Sequence, residues 1–148
     1  MEKLLISACL CGKNTKYNGG NNLIANLEEL EKHFELFMVC PEVDGGLTTP
    51  RNPSEQKGDK VISNQGVDVT YEFNLGAKIA LDVAKKNNIK YALLKESSPS
   101  CGSNLIYDGT FSGKKINGMG VAAKLLKENG IQVFSENEIE KLLKIIGA

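Results

Sequence analysis

Four short apolar runs recur along the chain, and the stretches between them carry apolar residues at helical spacing. The runs lie at residues 3–8, 35–39, 90–94 and 132–134. Continuous apolar runs of this length are typical of strands that are buried on both faces, as in a parallel sheet. The pattern therefore predicts four strands of one mostly parallel sheet.

The intervening stretches predict the helices. Stripes of apolar residues favour a helix at 23–34 and another at 70–87, with Thr70 as the cap of the second. A third helix is expected to begin at Asn117 or Gly118 and to end near 129. Ser135 and Glu138 form a capping box that begins a last helix, which ends near 147.

This alternation of strands and helices predicts an α/β fold. We expect one domain over residues 1–148, with a mostly parallel sheet in a three-layer, Rossmann-like arrangement. Residues 107–111 predict a small hairpin turn. Residues 41–66 contain few apolar positions and are expected to form a long irregular loop, and loops of that length are usually functional or mobile.

Charge and composition narrow the classes of function. The 148 residues include 18 basic and 18 acidic side chains, and a net charge of zero argues against extended nucleic-acid binding, which needs surplus cations. No run approaches the ~20 apolar residues of a membrane span. The single histidine, His33, excludes a multi-histidine metal site within one chain. Because the sequence predicts no membrane span, we expect a cytoplasmic protein.

The placement of the cysteines carries the most specific chemical information. Cys9 and Cys40 directly follow the first two predicted strands, and Cys101 lies in the loop after the third. Ligand sites in parallel sheets gather beyond the carboxyl ends of the strands, so these three thiols are predicted to converge. Three thiolates leave one position of a metal centre open, and without histidines they favour zinc or an iron–sulfur centre. The alternative is that each is a small buried apolar residue, as free cysteine often is.

Four motifs around these cysteines occur in a fixed order. They read Ser-Ala-Cys-Leu, then Cys-Pro-Glu followed by Gly-Gly-Leu-x-Thr-Pro-Arg, then Lys-Glu-x-Ser-Pro-Ser-Cys-Gly, and finally Ile-Tyr-Asp-Gly-Thr-Phe-Ser-Gly. Together they resemble a family of small bacterial proteins whose studied members are [4Fe-4S]-dependent thiouracil desulfidases. The resemblance covers nearly the whole chain.

The resemblance implies both a site and a reaction. It implies that three cysteines hold a [4Fe-4S] cluster, which air-purified protein can lack: Cys9, Cys40 and Cys101. It implies that the sulfur of a thiolated pyrimidine binds the open iron and leaves as sulfide. Glu42 would activate water or move a proton, and Ser98 or Ser100 would donate a hydrogen bond or relay that proton. Cys11 stands where relatives usually carry leucine, so it is either a bystander or a competitor for the fourth iron.

Other interpretations of the same residues remain open. A non-catalytic module could bind zinc or a cluster through all four cysteines, but a closed site has no need of Glu42 or the Ser-Pro-Ser motif. A metal-free enzyme could use Cys101 as its nucleophile, although the one histidine is remote from it in sequence. Simple nucleotide binding is disfavoured, since the glycine pairs at 19–20 and 45–46 match neither nucleotide-binding fingerprint.

Three further side chains are candidates for contacts with a ligand. Arg51, the one arginine, could clamp a carboxylate, a phosphate or a ring carbonyl, or it could pair with a loop carboxylate. Tyr17 and Tyr107 lie in glycine-rich stretches and could stack on a flat base.

Overall fold

The computed structural model describes all 148 residues, with eight strands and five helices. The strands are β1 (Glu2–Ser7), β2 (Phe34–Val39), β3 (Ser54–Lys57), β4 (Lys60–Ser63), β5 (Tyr91–Leu94), β6 (Leu105–Tyr107), β7 (Lys115–Asn117) and β8 (Gln132–Ser135). The helices are α1 (Leu27–His33), α2 (Pro41–Asp44), α3 (Thr70–Lys86), α4 (Val121–Glu128) and α5 (Ile139–Ile145).

The central sheet contains the four predicted strands. Their order is β2-β1-β5-β8, and each neighbouring pair is parallel. Leu5 of β1 lies opposite Phe37 of β2 on one side and Ala92 of β5 on the other. Because β1 and β5 are the inner strands and are covered on both faces, β5 is apolar throughout and β1 is apolar over its buried centre, Leu4–Ile6. The prediction of a parallel sheet is confirmed.

Helices cover both faces of this sheet, which confirms the three-layer arrangement. The helices α3 and α4 pack on one face around a buried cluster that includes Ala80 and Leu126. The helices α1 and α5 pack on the other face around a cluster that includes Leu30 and Leu142. None of the five helices is both long and apolar enough to span a membrane.

Two of the predicted helix starts are wrong. The first helix begins at Leu27, and Phe34 is the first residue of β2, where it pairs with β1 and is buried at the end of the sheet. Asn117 belongs to β7, so the third predicted helix begins only at Val121.

The extent of the second helix is confirmed, but the role of Thr70 as its cap is not. Asp68 accepts the hydrogen bond from the Thr70 backbone N–H, and the Thr70 hydroxyl instead accepts one from the backbone of Val61 on β4. The Ser135–Glu138 capping box is present; it begins a single 3₁₀ turn that continues into α5.

The segment at 41–66 is more ordered than predicted. It contains the single turn α2 and an antiparallel hairpin formed by β3 and β4. A second hairpin, formed by β6 and β7, contains the predicted turn within a longer connection at 108–114. Residues from both hairpins line a cavity at the carboxyl ends of the parallel strands, together with the loops that follow β1, β2 and β5.

Candidate active site

A cavity of about 480 Å³ lies at the carboxyl edge of the sheet, and the loops after three parallel strands meet there. Cys9 follows β1, Cys40 follows β2, and Cys101 lies in the loop after β5; all three line the cavity. Their convergence was predicted from the parallel sheet, in which the carboxyl ends of the strands meet at one edge.

Burial controls the titration of these thiols. It raises the pKa of Cys9 and of Cys40 and raises that of Cys101, which is buried, to about 12. A negative charge on Cys40 acts to raise the pKa of Cys9, and a negative charge on Cys9 acts to raise the pKa of Cys101, so Cys9 lies within electrostatic reach of both other thiols. The thiols are therefore protonated near neutral pH unless a positive centre binds them.

Cys11 is placed differently from the other three cysteines. It does not line the cavity and packs instead against the apolar cluster beneath α1 and α5. Burial, together with the negative charges of Cys9 and Glu31, raises the pKa of the Cys11 thiol to about 11. This apolar packing agrees with the bystander interpretation of Cys11.

A carboxylate and the one arginine form an enclosed pair at the cavity wall. The Arg51 Nε donates to Glu42 Oε1 at 3.0 Å, and both side chains are largely buried, with 9% and 14% of their surface exposed. Arg51 Nη2 donates to the Thr15 carbonyl, and Nη1 donates to the Thr48 carbonyl and to the Thr49 hydroxyl. Its donors are therefore used within the protein, and of the two interpretations of Arg51 the structure agrees with pairing to a loop carboxylate.

Close backbone packing sets the position of Glu42. Glu42 lies in α2, whose first residue, Pro41, contacts α3 at Gly76. Any Cβ at Gly76 would overlap the Pro41 carbonyl group. A glycine is therefore required for α2 to approach α3 this closely, and that approach fixes where the carboxylate enters the cavity.

The two serines of the Ser-Pro-Ser motif make different contacts. The Ser100 hydroxyl donates to Glu42 Oε2 at 3.0 Å, whereas the corresponding distance from Ser98 is 3.5 Å. The Ser98 hydroxyl accepts hydrogen bonds from the backbone N–H groups of Ser100 and Cys101. Ser98 therefore shapes the turn that presents Cys101, and Ser100 is the serine whose hydroxyl contacts the carboxylate.

Glu96 holds the loop that carries Cys101. Its Oε1 accepts hydrogen bonds from four backbone N–H groups, each at 3.1 Å: Ser97, Ser103, Asn104 and Leu105. Desolvation acts to raise the pKa of this carboxyl group, but the backbone hydrogen bonds outweigh it and lower the pKa to about 2. Glu96 is therefore ionised across the physiological range and fixes the loop.

Aromatic side chains also line the cavity. Tyr107, a predicted stacking residue, lines the cavity, and so does Phe111, which the sequence analysis did not select. The buried carboxylate of Glu55 accepts hydrogen bonds from the backbone N–H groups of Gly109 and Phe111, at 2.9 and 3.2 Å. Phe111 adopts a φ of 56°, a backbone conformation that a non-glycine residue rarely takes without such support. Tyr17, the other predicted stacking residue, also lines the cavity.

Comparisons with known proteins identify the family to which this α/β chain belongs. Residues 4–138 match the model of the 2-thiouracil desulfurase family, and the chain belongs to that family.

Two similar proteins add detail. A solved structure of TudS, described as a [4Fe-4S]-dependent thiouracil desulfidase, superimposes with a TM-score of 0.95; it is 44% identical, and the match covers 99% of each chain. The chain is also 43% identical to the uncharacterised protein YbbK of Bacillus subtilis (strain 168), over 95% of this chain and 99% of that protein. The family identification made from the four motifs is confirmed. The chain is homologous to an enzyme that cleaves a carbon–sulfur bond.

Proposed function

We propose that this protein is a cytoplasmic [4Fe-4S]-dependent desulfidase that removes sulfur from a thiolated pyrimidine, with residues 1–148 acting as one domain. The observation that carries the proposal is the convergence of three thiols with one carboxylate–serine pair in a single cavity. Membership of the 2-thiouracil desulfurase family and the similarity to TudS support the same activity.

The donor set fits an iron–sulfur cluster held by Cys9, Cys40 and Cys101. The three thiols come from separate loops, and no group of three or more histidine, cysteine or acidic side chains is arranged to hold a single metal ion. A cluster differs from a single ion because its ligand sulfurs bind separate iron atoms and therefore stand further apart. Burial makes free thiolates unfavourable at these positions, and binding to iron would supply the compensating positive charge.

When bound by three cysteines, such a cluster supplies one iron with an open position, a Lewis acid matched to the soft sulfur of a thiolated pyrimidine. The overall reaction exchanges the ring sulfur for the oxygen of water and releases sulfide. It is redox-neutral, so the protein has to supply only binding, orientation and proton transfer.

Glu42 is the group that we assign to proton transfer. As a carboxylate, it can accept a proton from the attacking water at Oε2 and return it to the ring or to the departing sulfur. Arg51 holds Oε1, so that Oε2 is left for the Ser100 hydroxyl and the reacting water. Ser100 orients this oxygen through the shorter hydrogen bond, and Ser98 acts mainly on the loop of Cys101, with a longer contact to the same oxygen.

The aromatic wall gives the cavity a surface that suits a flat heterocycle. Phe111 and Tyr107 face the same space as the three thiols, and Glu55 keeps the Phe111 backbone in place. A pyrimidine ring that packs on this wall would have its position fixed without a charged group on the substrate.

The alternatives are less well supported. A site that uses all four cysteines would require Cys11, which packs outside the cavity. A metal-free nucleophile needs a thiol that ionises readily, whereas burial raises the pKa of Cys101 to about 12.

The deciding experiment measures iron, zinc and acid-labile sulfide in protein purified without oxygen. Cys9→Ser, Cys40→Ser and Cys101→Ser are each expected to lose iron and sulfide, and Cys11→Ser is the matched control that is expected to retain both. Cluster-loaded wild type is expected to release sulfide and uracil from 2-thiouracil. Glu42→Gln is expected to keep the cluster and to lose roughly 100-fold or more in kcat.

Two results would contradict the proposal. Zinc bound by all four cysteines would indicate a closed structural site. A Glu42→Gln variant with full turnover would exclude the carboxylate from proton transfer.

A further inference from the structure

Lys95 is a cavity side chain that the proposed mechanism does not use. It is the first residue after β5, and it lines the same cavity as the three thiols. The strand β1 runs parallel to β5, with Ile6 opposite Leu93, so the residues that follow the two strands lie side by side. The Lys95 backbone N–H donates to the Ser7 hydroxyl at 3.0 Å. Lys95 therefore enters the cavity next to the loop that carries Cys9.

The ammonium group of this side chain is held in place by two acceptors. The Lys95 Nζ lies 2.8 Å from Oε2 of Glu136, which belongs to the 3₁₀ turn before α5, and it donates to the Glu96 carbonyl at 3.1 Å. Glu136 is fixed in turn, because its Oε1 accepts a hydrogen bond from the Glu96 backbone N–H at 2.7 Å. A lysine side chain ordinarily has many rotamers, so one that is anchored at both its backbone and its ammonium group is preorganised.

The ammonium group has one N–H donor more than the protein uses. A lysine carries three donors and no acceptor, and the structure gives Lys95 two acceptors, the Glu136 carboxylate and the Glu96 carbonyl. The side chain is 32% exposed and lines the cavity. The third donor is therefore accessible to a molecule that binds in the cavity.

The other cations of the cavity differ in this respect. Arg51 uses its donors on Glu42 and on backbone and hydroxyl oxygens of neighbouring loops. Lys16 and Lys115 each have the ammonium group over the ring of a tyrosine, 6.0 and 5.4 Å from the ring centroid, which fixes it less than two short polar contacts do. Lys95 is the cation that combines a fixed position with a donor to spare.

The ion pair determines which kind of acceptor suits this donor. Because the Glu136 carboxylate lies 2.8 Å from the ammonium group, the positive charge of Lys95 is already balanced within the protein. A neutral acceptor therefore suits the donor better than an anion does. A thiolated uracil offers such an acceptor, since its ring carries a carbonyl oxygen besides the sulfur, whereas its ring N–H groups are donors.

We propose that Lys95 donates a hydrogen bond to the ring carbonyl oxygen of a thiolated uracil and so makes the site selective for pyrimidines that carry an oxygen as well as a sulfur. The inference rests on the proposed function and adds a specificity-determining residue to it. Glu136 is the positioning residue that holds the ammonium group. A site built to pair with a ring oxygen rejects an analogue that lacks the oxygen, since the donor is then left unpaired.

The test compares 2-thiouracil with pyrimidine-2-thione, which keeps the ring and the sulfur but lacks the carbonyl oxygen. Anaerobically loaded wild type and Lys95→Met are compared at equal iron content. We expect Lys95→Met to raise the KM for 2-thiouracil roughly 10-fold or more at a nearly unchanged kcat, because it removes a charged hydrogen bond that binds the substrate. The inhibition constant of pyrimidine-2-thione against 2-thiouracil should stay within about twofold of the wild-type value.

Two further variants separate recognition of the oxygen from support of the fold. Lys141→Met is the matched control, because Lys141 also pairs with a glutamate, Glu138 at 4.0 Å, but is 68% exposed and does not line the cavity. Lys95→Met leaves the Glu136 carboxylate without its partner. The double variant Lys95→Met/Glu136→Gln removes both charges and keeps a side-chain oxygen for the Glu96 N–H, and it should show the same selective loss.

An unchanged KM for 2-thiouracil in both Lys95 variants would overturn the inference. An equal loss of affinity for the two compounds, or loss of the cluster from both variants, would overturn it as well, because Lys95 would then support the site as a whole. A fall in kcat with both binding constants unchanged would place Lys95 at the departing sulfide and would also overturn it. Failure of wild type to bind iron and sulfide, or to convert 2-thiouracil, would overturn the proposed function itself, and the inference with it. A loss confined to 2-thiouracil supports the inference.

Discussion

Replacing Glu96 by glutamine tests how the Cys101 loop is held in place. The glutamine side chain has nearly the same shape but carries no charge, and its amide group supplies donors where the native carboxylate supplies only acceptors. In the native protein Oε2 accepts hydrogen bonds from the Ser103 hydroxyl and the Asn104 side-chain amide, while Oε1 accepts four from the backbone. We expect Glu96→Gln to lower the free energy of unfolding.

The size of the effect follows from the pKa of Glu96. Its folded-state value of about 2 lies below the ordinary value of 4.5, and each unit of difference corresponds to about 1.4 kcal/mol. The residue is 8% exposed but borders an open cavity, so solvent screening reduces the effect to about 2–3 kcal/mol. Because the folded-state pKa is depressed, this contribution is fully present above about pH 4.5 and is lost as the pH falls towards 2.

The assay is urea unfolding of cluster-free, reduced protein between pH 3 and pH 7, with exposed Glu35→Gln as the matched control. The use of cluster-free protein removes the stabilisation that a bound ligand adds. The difference between wild type and Glu96→Gln should be largest near pH 7 and should shrink on acidification. A difference that stays constant over this range, or one that Glu35→Gln reproduces, would refute the assignment of the stability to the Glu96 carboxylate.

Four further substitutions test the site. Ser100→Ala should lower kcat by roughly 10-fold or more at normal iron content, since it removes a hydrogen bond to Glu42, the carboxylate that we propose for proton transfer. Ser98→Ala should mainly lower stability, by about 1 kcal/mol in urea unfolding; equal kcat values in the two variants would contradict their assigned roles. Arg51→Lys loses the planar contacts that hold the same carboxylate and should reduce kcat more than it changes KM; unchanged kinetics would show that the pair is only structural. Phe111→Leu should raise the KM for 2-thiouracil roughly 2- to 10-fold, and Glu55→Gln should raise it as well by releasing the aromatic residue; a normal KM in both variants would exclude the aromatic wall from substrate binding.

The strands were predicted correctly where burial on both faces alone determines which residue types a segment contains. The strands β1 and β5 are covered on both faces, so the centre of β1 and the whole of β5 are apolar and the pattern is unambiguous. The hairpin of β3 and β4 was missed because Ser54–Lys57 is a polar segment that forms a strand only through its partner. Phe34 was assigned to a helix because it continues an apolar stripe, but burial at the end of the sheet places it in β2.

The prediction of the site depended on how the parallel sheet brings residues together. The position of a cysteine directly after a strand is visible in the sequence, and the carboxyl ends of parallel strands share one edge, so the convergence of the thiols could be predicted. The Glu55–Phe111 contact joins two hairpins that are more than fifty residues apart, and no spacing in the sequence indicates it.

The sequence by itself determined the layered α/β architecture and the family, and it supplied the candidate site residues, because these depend on local periodicity and on short motifs. Only the tertiary structure decided which serine contacts Glu42, that Arg51 binds a carboxylate, and that Cys11 lies outside the cavity. These properties depend on distances of about 3 Å between segments that are remote in the chain. Such distances are set by the packing of the loops on the sheet, which the local sequence does not encode.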